Sequence, residues 1–234
     1  MSNKLYMHDH VQIAGTHRTD YMDLMTSLPG LLRSKRPMEC LGVFGTIGST
    51  GQWHTTVHIW EFEGWAGIAN DFEYDVNKPG LTNPDEIEWW KNSAAMRFWG
   101  RSRILIPASW SPTIDEALAA GIKGQCYEHQ VISLQPGSAR DFIERVGRVR
   151  VPLAARHGIR PVGAWRTALA EDDEVIILWA HPTWDGWGKF EATIDADTEM
   201  LKQWRLGDRD IVRTTQTSIL FPARDNPLNL GRRI

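Results

Sequence analysis

The stretch "IWEFEGW" (residues 59–65) recurs as "LWAHPTW" at residues 178–184, which sets Trp60 on Trp179 and Trp65 on Trp184, 119 residues apart. Upstream, "GVFGT" (42–46) matches "GAWRT" (163–167) at an offset of 121, and downstream "RILIPA" (103–108) matches "SILFPA" (218–223) at 115. Offsets that drift by only a few residues mark one duplicated unit with small loop changes. Two copies are too few for a solenoid, so the repeat points to a pseudo-twofold pair.

The order of elements within each copy is legible. In unit one, residues 1–108, an extended run at 6–13 leads to a helix over 19–35. Its Tyr21, Leu24, Met25, Leu28, Leu31 and Leu32 recur near 3.6-residue spacing, and Pro29 is expected to kink or split it. Strands at 41–47 and 53–62 flank the turn "GSTGQ" as a hairpin. A helical region at 64–96 is interrupted by "NKPGLTNP", where Asn83 and Pro84 suit the N-cap and first turn of the helix "DEIEWWKNSAAM". "RILIPA" closes the unit. Residues 109–125 form a linker containing a short helix, "SPTIDEALAAG". Unit two, residues 126–234, repeats the order: strand 127–134, helix 138–156, strands 162–168 and 174–180, helical region 184–204, strand 217–221. The order β-α-β-β-α-β, taken twice, is the ferredoxin-like split unit, so the fold class is α+β. Such a sheet is covered by helices on one face only, and its bare face calls for a cover that a second unit can supply.

Composition narrows the function. The 234 residues carry 26 basic and 29 acidic side chains for a net charge of −3, which gives no footprint for nucleic acid. Cys40 and Cys126 are too few for a disulfide framework and fit reduced thiols of a cytoplasmic protein. "MSNKLYMHDH" lacks a signal-peptide core, and no run suggests a membrane partner. Twelve tryptophans are several times ordinary usage. Indoles line apolar pockets as readily as they fill cores, so a small apolar or aromatic ligand is one reading and two well-packed cores the other.

"YEHQVISLQPGSARDFIERVGRVRVPLAARHGIRPVGAWRT", continued by "EVIILWAHPTW", resembles a NIPSNAP domain. The shared features are a Tyr-Glu opening strand, "L-x-P-G" before the first helix, "HG" after it, "GxW" and an "LW" strand. The likeness runs over residues 126–221. Unit one keeps "GVF", "IW" and "IPA" but has "HD" for "YE" and lacks "PG". The resemblance implies the dimeric α+β barrel, both halves supplied by one tandem chain. Its superfamily holds cofactor-free monooxygenases, lactone isomerases and haem enzymes, so fold does not choose the reaction. His157 of "ARHG" sits where a haem ligand could lie, but "HG" reads as a cationic helix end followed by a glycine cap. No cofactor is expected.

Candidate chemistry gathers in unit one. Aligning the first strands at the 119-residue offset sets His10 on His129 and Asp9 on Glu128. Neighbouring strand residues face opposite ways, so each acid should point away from its imidazole. The third strand, expected beside the first and parallel to it, carries His54, Thr56, His58, Trp60 and Phe62 at even spacing. Three readings compete. His8 and His10 with a third His would make a His₃ metal site, but no metal signature spacing is present and no metal is expected. Acid–base chemistry would use His10 and His58 as acid or base, with His8 and His54 assisting. Trp60, Trp53, His129, Trp179 and His181 would then contact substrate. The third reading is a set of hydrogen-bonded core histidines in a non-catalytic binding or scaffold protein. The leading expectation is a cofactor-free enzyme of isomerising, dehydrating or cyclising type, with cofactor-free oxygenation as its neighbour. Exposed sheet edges leave a homo-oligomer open.

Overall fold

A computed structural model describes residues 3–32, 38–77, 84–206 and 208–224. The chain forms two units, residues 1–104 with 221–234, and 105–220.

In unit one the elements are β1 (Leu5–Ile13), α1 (Arg18–Leu32), β2 (Met38–Thr46), β3 (Thr55–Phe62), α2 (Gly64–Asn77), α3 (Pro84–Met96) and β4 (Arg97–Pro107). α1 buries Tyr21, Met22, Met25 and Leu28 at helical spacing and packs on β2, β3 and α3. It runs through Pro29 unbroken instead of splitting there. Asn83, expected as an N-cap, lies outside the described residues. β3 is the middle strand, with β1 on one side and β2 on the other. β4 lies alongside β1, where Gly100 sits against Val11.

β1 and β3 are antiparallel, not parallel as expected. The helix between β1 and β2 returns the chain to its starting side, so those two strands run the same way. The β2–β3 hairpin then reverses direction once more.

Unit two contains α4 (Ile114–Ala119), β5 (Cys126–Leu134), α5 (Ala139–Ala155), β6 (Arg160–Thr167), β7 (Glu174–His181), α6 (Trp184–Ala196), α7 (Thr198–Leu201), a π-helical turn at Lys202–Leu206, and β8 (Val212–Pro222). α4 opens on a reciprocal capping box, Thr113 with Glu116. β7 is central between β5 and β6, and β8 lies on the far side of β5. α5 ends as expected at a glycine cap. Gly158 is left-handed at φ 72°, and the Ile159 N–H reaches back to the Ala154 carbonyl, 3.0 Å.

The strand registers correct the alignment of the repeats. Met7 stands opposite Trp60 and His8 opposite Ile59, while Glu128 stands opposite Trp179 and His129 opposite Leu178. With Trp60 set on Trp179, the equivalences are Tyr6 with Tyr127, His8 with His129, and Asp9 with Gln130. The first strands are therefore offset by 121, not 119. The second strands share that offset, down to a matching bulge at Cys40/Gly42 and at Pro161/Gly163. His129 is the counterpart of His8, not of His10.

Candidate functional site

The registers also decide which side chains share a face. Directly opposed residues of an antiparallel pair point the same way. Asp9 is opposite His58, Met7 opposite Trp60 and Val11 opposite Thr56, so these six lie on one face of the sheet. His8 and His10 lie on the other. The geometry thus separates His10 from His58 and brings Asp9 to it.

On the Asp9 face the helices leave a cavity of about 490 Å³ within unit one. Its floor is Asp9, His58 and Trp60 on the central strands. One wall is Tyr21, Met25 and Leu28, one face of α1, and Asp71 and Asp75 of α2 form another. Trp89 and Trp90 of α3 and the start of β4, from Arg97 to Gly100, complete it.

Asp9 is held on both oxygens. Trp60 Nε1–H donates to Oδ2 at 3.0 Å, and Ser102 Oγ–H donates to Oδ1 at 2.5 Å. Each oxygen keeps a further lone pair. Burial raises the Asp9 carboxyl above its ordinary value, and Asp71 adds in the same direction, against the two donors and Arg97.

His58 is 1% exposed. Burial, helped by Arg97 and His10, lowers its imidazole to about 3, so the ring is neutral at pH 7. Its Nδ1 lies 4.0 Å from Asp9 Oδ2, too far for a hydrogen bond, and with a neutral ring the two form no ion pair. Its Nε2 lies 3.0 Å from Thr56 Oγ1. A threonine hydroxyl donating there leaves the proton on Nδ1, facing the acceptor Asp9. Tyr21 stacks at 5.4 Å from the His58 ring and hydrogen-bonds Arg97, and burial raises its phenol. The Arg97 guanidinium stands 5.4 Å over the Trp90 ring.

The other expected site residues lie elsewhere. His54 is in the turn before β3, at φ 56°, where its carbonyl accepts the Ile13 N–H at 2.7 Å. It is not on the strand with His58, because β3 begins at Thr55. Trp53 is 67% exposed in the same turn, edge-on to His54, and does not line the cavity. His8 is fully buried, and His10 lies near Arg103, its imidazole lowered chiefly by burial.

In unit two Gln130 and Ile177 take the positions of Asp9 and His58. Glu128, one register step away, accepts Gln130 Nε2–H at 2.6 Å and lies 3.5 Å from His181 Nε2, all fully or nearly buried. Trp204 packs against Trp179 and Phe190, with ring centroids 4.9 and 5.0 Å apart, as part of a continuous core. Trp179 is a core residue there, and His129 is buried on the opposite face. Among the described residues no group of three His, Cys, Asp or Glu side chains is placed to hold a metal ion, and no helix is long and apolar enough to cross a membrane.

Sequence reasoning passed over Asp9 because it followed the imidazoles. Tyr21 and Arg97 carried no motif. The pair "EWW" and the run "RFWG" were the available signal, since they bring three of the surplus indoles and one arginine to consecutive elements.

Two ferredoxin-like units in one chain define the dimeric α+β barrel class of fold. No protein-family model matches the sequence, and no curated protein does. Among solved structures, the chain resembles an anthrone oxidase-like protein at TM-score 0.62 and 9% identity, covering 95% of this chain and 93% of that one. A monooxygenase candidate from Fusobacterium nucleatum subsp. nucleatum matches at TM-score 0.61 and 10% identity, over 95% and 94%. At these identities the likeness is one of fold. A NIPSNAP-domain protein from Burkholderia xenovorans matches 42% of this chain and 95% of its own at TM-score 0.36 and 15% identity. The NIPSNAP resemblance read from the sequence motifs is matched by no family model.

Proposed function

We propose that this chain is a small-molecule enzyme that removes a proton from an apolar or aromatic substrate held in the unit-one cavity, with Asp9 as the base. The observation that carries this reading is a half-buried carboxyl, raised by its surroundings, at the floor of an aromatic cavity and fixed by Trp60 and Ser102. A carboxylate in such a place is a stronger base than in water and is oriented before the substrate arrives. His58 is a positioning residue: its Nε2 is engaged by Thr56 and its Nδ1 faces Asp9. Arg97 and Tyr21 supply donors for the negative charge that forms on a substrate oxygen when an adjacent carbon or hydroxyl loses its proton. The resulting enolate or phenolate then takes a proton elsewhere, which is isomerisation, or expels a β-substituent, which is elimination. His10, expected as a catalyst, has no place in this scheme.

The same carbanion meeting dioxygen gives cofactor-free oxygenation. The names borne by two of the whole-chain neighbours favour this as the second reading.

The test is solvent deuterium exchange at the α-carbon of a panel of aryl ketones and naphthols, followed by NMR. Exchange faster than in buffer is expected with the native chain, a loss of about 100-fold or more with Asp9→Asn, and no change with His10→Ala. A folded Asp9→Asn protein that exchanges as fast as the native chain would sink the assignment.

A further inference from the structure

We infer that the substrate of the unit-one cavity is an enolisable aryl ketone, its carbonyl oxygen held by the Tyr21 hydroxyl while Asp9 works on the carbon beside it. This names the substrate class of the proposed function and rests on Asp9 being its base.

The first observation is an unspent hydrogen. Tyr21 comes from α1, is 1% exposed, lines the cavity and hydrogen-bonds Arg97. A guanidinium only donates, so in that bond the phenol oxygen accepts. The phenol's own O–H is left over, and among the described residues no acceptor takes it. The neighbouring His58 offers none, since Thr56 engages its Nε2 and its Nδ1 carries the proton. A buried hydroxyl on a cavity wall with its hydrogen unspent calls for an acceptor on the ligand. Burial pushes the phenol up, so it keeps that hydrogen at neutral pH.

The second observation is that donor and base come from different elements. Asp9 is on β1 and Tyr21 on α1, and both border His58. The His58 ring centroid is 5.4 Å from that of Tyr21, and its Nδ1 is 4.0 Å from Asp9 Oδ2. A substrate hydroxyl would ask one oxygen both to give its proton to Asp9 and to take the Tyr21 hydrogen. A ketone divides the tasks: its oxygen only accepts, and the neighbouring carbon carries the hydrogen. A carboxylate is the poorer fit, because an ion already negative resists losing a second proton from carbon. Trp60, Trp89, Trp90 and Trp99 offer flat apolar surface to the aryl group.

In the step itself the α C–H bond breaks, and the proton goes to a lone pair that Asp9 keeps beside its bonds to Trp60 and Ser102. The electron pair of that bond moves through the new C=C onto the carbonyl oxygen. Tyr21 holds the enolate by a hydrogen bond and gives up no proton. Return of the proton from Asp9 to carbon regenerates a ketone, with nothing oxidised or reduced. Arg97, 5.4 Å over the Trp90 ring, acts through Tyr21 by fixing the phenol oxygen.

The experiment uses the intact chain with 1-acetonaphthone, labelled with ¹³C at the carbonyl, and 1-ethylnaphthalene, close in shape and without the oxygen. The native chain is expected to exchange the methyl hydrogens of the ketone in deuterium oxide and to shift its carbonyl stretch to lower frequency on binding. Tyr21→Phe, its fold verified by circular dichroism, should lose about 100-fold in exchange and most of that shift, and should bind 1-ethylnaphthalene as the native chain does. Native exchange in a folded Tyr21→Phe protein overturns the inference, and loss of exchange in Asp9→Asn would then still support Asp9 as base. An unshifted stretch for the ketone bound to the native chain overturns it equally, and that arm needs no variant. No exchange with any aryl ketone of the panel overturns this inference and the proposed function together.

Discussion

At the scale of single residues, Asp9 and His58 make opposite demands on stability. His58 ordinarily titrates near 6.5 and in the folded chain near 3. Between those values the unfolded chain holds a proton that the native state does not. The stability His58 contributes is therefore full above pH 6.5 and is lost as pH falls toward 3. Asp9 works the other way. Its folded value is raised above 3.8, so the native state holds the extra proton there, and its contribution falls as pH rises through that range. His58→Gln, which keeps an amide near Thr56, removes the first dependence and leaves the second. Compared with that variant, the native chain should lose up to about 3 kcal/mol between pH 6.5 and 4, read from urea melts. Equal slopes in the two proteins would mean that the imidazole is not held neutral. Activity should lose its acidic limb at a pH above an ordinary aspartate's, and Asp9→Glu should move that limb without abolishing it.

At the scale of elements, the fold was legible because period and repeat survive in the sequence, and the site was not, because it depends on register. The recurrence of "IW" and "LW", the hairpin turn and the α1 periodicity located the eight strands and the main helices of the described residues, although β4 and β8 begin several residues earlier than expected. Yet an antiparallel β1–β3 pairing and a two-residue slip in aligning the first strands changed which residues meet. His10 appeared to match His129 only under the slipped alignment, whereas the true register sets "YMH" on "YEH". The shared bulges explain part of the register. At Gly163 a Cβ would fall 2.1 Å from the Trp165 ring, which is fully buried and has nowhere to move. Gly163→Ala is therefore expected to cost about 1–3 kcal/mol through displacement of the strand or ring, read as a shift of the urea midpoint. Gly45 is constrained likewise, with a Cβ 2.5 Å from the Phe221 ring. A substitution at Gly188, whose Cβ would meet nothing within 4 Å, serves as the control and should move the midpoint little.

At the scale of the whole chain, duplication has given two copies of one fold with different interiors. In unit one the helix-covered face holds Asp9 and His58 under an open cavity. In unit two Gln130 and Ile177 stand at those positions, and Trp204 fills the space above Trp179. Nothing in the β-α-β-β-α-β order requires this difference; under the proposed function unit one holds the ligand and unit two is core. The consequence is a stoichiometry of one ligand per chain, despite the internal repeat. Calorimetry with 1-naphthol should therefore saturate at one equivalent, and Trp60→Ala should weaken that binding. Trp204→Ala should act on stability instead, by about 3–5 kcal/mol, because it deletes a fully buried indole packed on Trp179 and Phe190. Affinity at the unit-one cavity should survive that change. Two equivalents bound by the native chain, or loss of binding in a folded Trp204→Ala protein, would show that unit two holds the ligand and would reverse the assignment of roles to the two copies.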